Sequence, residues 1–305
     1  MKIKKYLILL CLVSSSLKMG YADQNSDLSH NLYVNANLAF ENQNWQVVVK
    51  ECTELVRKNP TSSFTQEALF FLSVAYFNLN DLERSNRYLT RYLKSDFSPK
   101  YFEEAMHYKF AIAKKYKDGA RKNLFGWKNA PKIVDAEEDA IALFDEIIAT
   151  MPGHDLACKS MFEKALIQKA YQEYKESVDT LESLVKKFSK HELAAQSRIE
   201  IGKIFLKQTT RRQQNPDVLD HANINLAKLK EEYPLEEDRI KELQSINNEL
   251  HSIFAEGLLN IANFYLKTKK TDAAELYLKK IVHDFPNSYH ADIAQKRLTQ
   301  IQKAT

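Results

Sequence analysis

From Leu258 to Pro286 the apolar positions fall on two stripes. Leu258, Ile261, Ala262 and Tyr265 recur at the three- and four-residue steps of one helical face, and Leu278 and Ile281 do the same after Ala274. The pattern predicts two helices joined by a short polar turn. Two antiparallel helices cross closely only where small residues meet, and Ala262 and Ala274 lie twelve positions apart. The arrangement recurs along the chain: Ser73 with Ser85, among Leu69, Leu72, Tyr76, Leu89 and Tyr92, then Ala36 with Val48 and Ala165 with Ser177. Two further pairs are stretched by insertions, Ala111 to Ala140 and Gly202 to Ala222. Their second halves keep the apolar stripe through Phe144 and Ile147 in one and Leu226 and Leu229 in the other.

Repetition at this scale predicts a solenoid, because one helix pair cannot bury its apolar face alone and does so only against its neighbours. The fold class expected is all-α, a tetratricopeptide-like α-solenoid of about six helix pairs with a C-terminal capping helix. The cap is "SYHADIAQKRLTQIQ", with Ala291, Ala294 and Leu298 inward and Lys296 and Gln300 in water. All seven prolines, Pro60 to Pro286, fall between expected helices, where a missing amide donor does no harm. The turns "NPTSS" and "FPNS" each carry a serine two residues after the proline, Ser62 and Ser288, marking entry into a new helix. Sustained alternation of strand type is nearly absent.

Composition adds compartment. "MKIKK" is a basic run, "YLILLCLVSSSL" an apolar run of twelve, and small residues end at Ala22, so residues 1–22 are expected to be a secretory signal peptide. Residues 23–305 then form the solenoid, with N-terminal repeats over 31–152, a basic insertion at 115–133, and C-terminal repeats over 153–305. Cys11 lies in the apolar run where a lipoprotein signal would place its lipidated cysteine, but Leu9 and Leu10 before it are larger than that chemistry uses. Removing Lys2, Lys4, Lys5 and Lys18 leaves 44 − 4 = 40 basic residues against 40 acidic ones. A neutral chain lacks the basic face of a general nucleic-acid binder. Cys52 and Cys158 are far apart in sequence, in expected helices, and read as buried free thiols, with pairing in an oxidising compartment as the alternative.

Catalytic and metal motifs are missing. Six glycines make no phosphate-cradling loop, "HELAA" from His191 lacks the second histidine of a zinc-protease helix, and no Ser, His and Asp set has a local motif. No cofactor and no enzyme activity are expected. The candidate surface is a protein-binding one. A solenoid's groove side is lined by the first helix of each pair, which selects Tyr33, Phe40, Phe70 and Phe77, unless these rings pack on the neighbouring pair. The insertion "KKYKDGARKNLFGWKNAPK" carries seven basic residues against Asp118. Too long for an ordinary connection, it offers Arg121, Lys122, Phe125 and Trp127 as anchors for a partner, or the two rings as a local core. "LEEDRIKELQSINNELHSIFAEGLLNIANFYL" reads as one long helix with Leu243, Ile246, Leu250, Ile253 and Phe254 on a stripe, either protruding to a partner or folded back as a brace.

The opening "LYVNANLAFENQNWQVVVKE", the insertion with "LFGW" in the third pair, and the overlong helix leading into "GLLNIANFYLKTKKTDAAELYLKKIVHDFPNS" resemble the BamD family. That family comprises periplasmic tetratricopeptide proteins of the outer-membrane β-barrel assembly machinery. The resemblance implies substrate contact by the N-terminal repeats, with unfolded outer-membrane proteins meeting the groove around Tyr33, Phe40, Phe70 and Phe77. It also implies docking of the last pair and its long helix on a BamA-type barrel subunit, at the inner face of the outer membrane. The chain departs from the family in having one repeat more and no convincing lipidation site, so membrane association would be indirect, through the protein partner. The alternative is a periplasmic tetratricopeptide protein of the Tol-Pal system, coordinating envelope constriction with wall synthesis, though such proteins tend to place a coiled coil before a short repeat domain. A superhelical muramidase would need a catalytic domain for which no part of the chain is left over.

Overall fold

The computed structural model describes residues 27–95, 99–123, 131–209 and 215–304. The expected signal peptide with Cys11, and the rings of Phe125 and Trp127, lie outside the described residues. Helix α1 covers residues 27–41. It is followed by α2 (Trp45–Lys58), α3 (Ser63–Asn78), α4 (Leu82–Leu93), α5 (Phe102–Lys117), strands β1 (Lys122–Asn123) and β2 (Lys132–Val134), and α6 (Glu137–Thr150). Then come α7 (Asp155–Ala170), α8 (Tyr174–Lys187), α9 (Glu192–Gln208), α10 (Pro216–Glu232), α11 (Glu237–Lys267), α12 (Thr271–Asp284) and α13 (Tyr289–Ala304). This is an all-α fold of tetratricopeptide-like α-solenoid type, with six helix pairs and a C-terminal cap among the described residues. The chain divides into two compact units, residues 1–147 and 148–305.

The small residues do what their spacing implies. Ala36, Val48, Ser73, Ser85, Ala165, Ser177, Ala262 and Ala274 are all fully buried. In two pairs the crossing is also hydrogen-bonded: Ser85 Oγ donates to the Ser73 carbonyl at 2.8 Å, and Ser177 Oγ to that of Ala165 at 2.7 Å. A buried hydroxyl needs such a partner, and here the neighbouring helix's backbone supplies it. The turn serines are caps: Ser62 Oγ accepts from the Phe64 amide at 3.3 Å and Ser288 Oγ from that of Ala291 at 3.1 Å. Histidines take the same place elsewhere, since His154 Nδ1 accepts from Leu156 N at 3.1 Å and His191 Nδ1 from Leu193 N at 3.0 Å. His191 therefore starts a helix, which explains "HELAA" without a metal.

The third pair corrects the sequence phase. Ala111 is only half-buried, whereas Ile112, Ala113 and Tyr116 are buried, as Leu72, Ser73 and Tyr76 are in the pair before. The crossing residue is thus Ala113, and the place of Leu69 is taken by Lys109, whose side chain is fully buried. The paired strands are a second addition. Residues Lys122 and Val134 face each other in an antiparallel ladder closing the insertion, too short to show alternation in sequence.

Helix α11 folds back as a brace. Its first half buries Leu243 against Ile199, Leu226 and Leu229, and its second half places Leu250, Phe254, Leu259 and Ala262 in a core with Ile201, Leu278, Ile281 and the cap's Ala294 and Leu298. Lys296 and Gln300 face water as expected. Cys52 and Cys158 are free and buried, and burial pushes both thiols up to about 12, leaving them protonated and inert at neutral pH.

Candidate functional site

In the first unit the four selected rings join one aromatic array. Tyr33 stacks on Phe64 at 4.7 Å, Phe40 stacks on Phe71 at 4.5 Å, Phe70 stacks on Tyr101 at 4.6 Å, and Phe77 meets Tyr108 edge-on at 5.2 Å. Phe70 meets Phe71, Tyr92, Tyr101 and Tyr108, and Phe71, not among the residues selected from sequence, joins it to Tyr33 and Phe40. Phe70 and Phe71 are buried, while Tyr33, Phe40 and Phe77 are half-buried. The rim is polar. Tyr33 donates to Glu67, whose other oxygen receives Lys100 Nζ at 3.0 Å, and Lys115 Nζ lies 4.4 Å above the Phe77 ring. Arg121 and Lys122 sit at the root of the insertion. Lys122 Nζ binds both carboxylate oxygens of Asp139, at 2.8 and 2.7 Å, and Arg121 meets Asp135 at 3.4 Å. They tie the hairpin to the start of α6.

The phenols give this unit a pH limit. Burial, then the hydrogen bond to Glu67, pushes Tyr33 up to about 12, and burial raises Tyr88, Tyr92, Tyr108 and Tyr116 above the ordinary 10.0. The folded state holds these groups neutral, so their contribution is complete below pH 10 and is lost as pH rises through the folded values. Both tryptophans lie within residues 1–147, so tryptophan fluorescence reports this unit. Its urea midpoint is expected to stay flat from pH 7 to 9 and to fall between 10 and 12; an unchanged midpoint at pH 12 would refute the assignment.

The second unit holds a larger opening. A cavity of about 870 Å³ lies between α10, α11 and α12. Leu219, Phe254, Leu258 and Phe285 form its apolar walls. At its mouth Ile261 is 41% and Phe264 61% exposed, unusual for side chains of this size beside a core. The polar floor is self-satisfied: Asn223 Oδ1 accepts from Asn247 Nδ2 at 2.8 Å and from His251 Nε2 at 2.9 Å. Burial lowers the His251 pKa, so the imidazole is neutral at pH 7 and donates from Nε2. A cleft of this size, with apolar walls and with Asp220, Asp284 and Lys280 also in its lining, suits side chains of a protein partner. The signal for it in sequence was Phe264 next to Tyr265 on the long helix, off the stripe that packs inward. Among the described residues no group of three or more His, Cys, Asp or Glu is placed to hold a metal ion, and no helix is long and apolar enough to cross a membrane.

A family model described as tetratricopeptide repeat matches residues 256–288, the segment that forms one wall of this cleft. No curated protein sequence matches the chain. Among solved structures, a tetratricopeptide repeat protein from Parabacteroides merdae is similar at 12% identity over 90% of this chain and 98% of that one, with a TM-score of 0.41. A TPR repeats protein from Bacteroides fragilis is similar at 14% identity, 90% and 98% coverage and a TM-score of 0.43. YrrB, described as a TPR protein with an unusual peptide-binding site, is similar at 13% identity, 80% and 97% coverage and a TM-score of 0.34.

Proposed function

We propose that this chain is a non-catalytic periplasmic scaffold of outer-membrane β-barrel protein assembly. The cleft of the last repeat docks a BamA-type subunit, and the aromatic array of the first unit receives unfolded outer-membrane protein. The observation that carries the reading is the cleft itself, an apolar cavity of about 870 Å³ whose mouth exposes Phe264 and Ile261. A helix or loop of a partner inserting apolar side chains there would cover surface that the chain leaves open. Half-buried Tyr33, Phe40 and Phe77 offer sequence-tolerant contacts of the kind an unfolded substrate requires, since every apolar side chain can lie on a ring face. The basic insertion, with Arg121, Lys122, Phe125 and Trp127 in its sequence, is a further candidate for partner contact. The expected signal peptide and the BamD-like order of segments support the compartment.

The test is cross-linked affinity purification of the tagged chain from native envelopes, with Ile261→Asp/Phe264→Asp beside the wild type. Both side chains are exposed, so the variant is expected to fold with an unchanged melting temperature while recovery of a BamA-type protein falls at least tenfold. Deleting residues 235–305 should abolish that recovery. Capture of Tol-Pal or wall-synthesis components with no barrel protein would sink the proposal.

A further inference from the structure

Helix α4 and the residue just after it carry a row of cations, three of whose side chains have no partner among the described residues. Arg84 is accounted for, paired with Asp81 at 2.5 Å and lying 4.6 Å from the centre of the Tyr76 ring. Arg87, Arg91 and Lys94 follow at four- and three-residue steps, so they share one face, and all three are exposed. Among the described residues none of them makes a hydrogen bond or an ion pair. Like charges at that spacing repel along a helix, which offsets part of what Arg91 and Lys94 gain from the carbonyl end of α4.

The three side chains converge on a pocket. Together with the turn between α2 and α3 they line a cavity of about 640 Å³, and among the described residues its wall holds no carboxylate. The rest of its polar lining is rich in hydroxyls, among them Thr61, Ser63, Thr90 and Ser95. Thr90 is oriented by the buried lysine behind it, because Lys109 Nζ donates to Thr90 Oγ1 at 2.8 Å and an ammonium has only donors. The threonine oxygen is therefore the acceptor in that bond, and its own hydrogen remains to donate to something else. The α3 helix opens at the same turn with no acidic residue in its first turn.

The second unit supplies the contrast. A cavity of about 600 Å³ between α8 and α10 is also basic, with Lys186, Lys190 and Lys228, but its arginine is occupied. Arg198 donates to Glu182 at 2.9 Å and to both carboxylate oxygens of Glu232 at 3.2 and 3.0 Å. There the chain provides its own anions; among the described residues that line the pocket beside α4 there is none.

We propose that the pocket between the α2–α3 turn and α4 binds the phosphate group of a ligand. Arg87 and Arg91 present guanidinium forks to its oxygens, Lys94 adds a compact charge, and Ser63 and Thr90 donate to the oxygens left over. Guanidinium matches a tetrahedral oxyanion through paired N–H donors, and hydroxyls complete the shell. The cavity is many times the ~30 Å³ of a water molecule, so it has room for an organic portion as well. A phosphate ester of this size is either a lipid headgroup or a free phosphorylated small molecule. The inference stands apart from the assembly role and survives if that role fails.

The experiment titrates the full chain with glycerol phosphate by calorimetry at constant ionic strength, with acetate as the control for charge alone. Vesicle flotation follows, using phosphatidylcholine with and without phosphatidic acid. Saturable binding of glycerol phosphate is expected, at least tenfold weaker in Arg87→Gln/Arg91→Gln and unchanged in Lys186→Gln/Lys190→Gln, which removes two cations elsewhere. Thr61→Glu places a carboxylate in the pocket without removing a cation and should cause the same loss. Flotation on phosphatidic acid that depends on Arg87 and Arg91 identifies a lipid headgroup, and glycerol phosphate binding without flotation identifies a soluble ligand. No saturation beyond acetate, equal losses in the two double variants, or tighter binding of a polyglutamate peptide would each overturn the proposal.

Discussion

Glu146→Ala is expected to destabilise the first unit by about 3 kcal/mol, whereas Lys109→Met is expected to stay within about 1 kcal/mol of the wild type. The asymmetry follows from where the two charges sit. The Lys109 side chain is 0% exposed, and its three N–H donors are used on Glu146 at 2.7 Å, Thr90 at 2.8 Å and Asn86 at 3.2 Å. One side chain of α5 thereby clips α4 to α6. Desolvation already lowers its pKa, opposed by the hydrogen bond and charge of Glu146. Remove Glu146 and an ammonium stays buried with two neutral acceptors, so the folded state must hold an uncompensated charge or release its proton. Glu146 is 39% exposed, so losing Lys109 leaves it solvated, and methionine fills the vacated volume without bringing a charge. The estimate for Glu146→Ala is taken at the low end of the ~3 to 5 kcal/mol typical of broken buried pairs because water can reach that side. Urea unfolding followed by tryptophan fluorescence reads the effect. The double variant should return to the stability of Lys109→Met; equal losses in the two single variants would count against the clip.

The same lysine shows what the sequence made legible and what it hid. Helix number, pairing, the cap and the turn serines rest on periodicity and on backbone needs that any residue of the right size or cap chemistry meets. They could therefore be read one helix at a time. Lys109 depends on Asn86 and Thr90 in the preceding helix and Glu146 in the following one, contacts separated by tens of residues. Nothing within α5 distinguishes it from a solvated lysine. The candidate sites divide in the same way. Tyr33, Phe40, Phe70 and Phe77 could be chosen from their helical phase, but not Phe71, which lies one step round the helix and links the array only because α1 brings Tyr33 and Phe40 over it. The cleft of the last repeat needs three helices at once, and the row on α4 becomes a pocket only when the α2–α3 turn faces it.

Leu243→Ala is expected to cost the second unit about 3 kcal/mol and Gly202→Ala about 2 kcal/mol, with the double variant losing at least ~1 kcal/mol less than their sum. The spacing to Ala222 suggested that Gly202 serves the crossing of α9 with α10. The backbone shows another reason for the glycine. A Cβ at residue 202 would stand 2.4 Å from Leu243 Cδ1 and 3.6 Å from Ile246 Cγ2, both on the long helix. Leu243 is 1% exposed among Ala195, Ile199, Leu226 and Leu229, so the methyl cannot simply swing into solvent. Alanine in a helix interior gains roughly 1 kcal/mol over glycine in propensity, and the expected net loss means that overpacking exceeds that gain. Truncating Leu243 opens the space that the new methyl needs, which is why the two losses should partly cancel; additivity within ~0.5 kcal/mol would mean that α9 and α11 are not pinned here. Helical circular dichroism during urea unfolding can follow the four proteins. The contact also bears on function through helix length. A helix of 31 residues is about 46 Å long, and α11 is pinned near one end by Gly202 while its other end supplies Ile261 and Phe264 to the cleft. Stiffness along α11 then makes the unseen first half a determinant of the exposed second half. If a partner docks at Phe264 as proposed, Gly202→Ala should weaken its capture from a distance, and Leu243→Ala in the same chain should restore part of it.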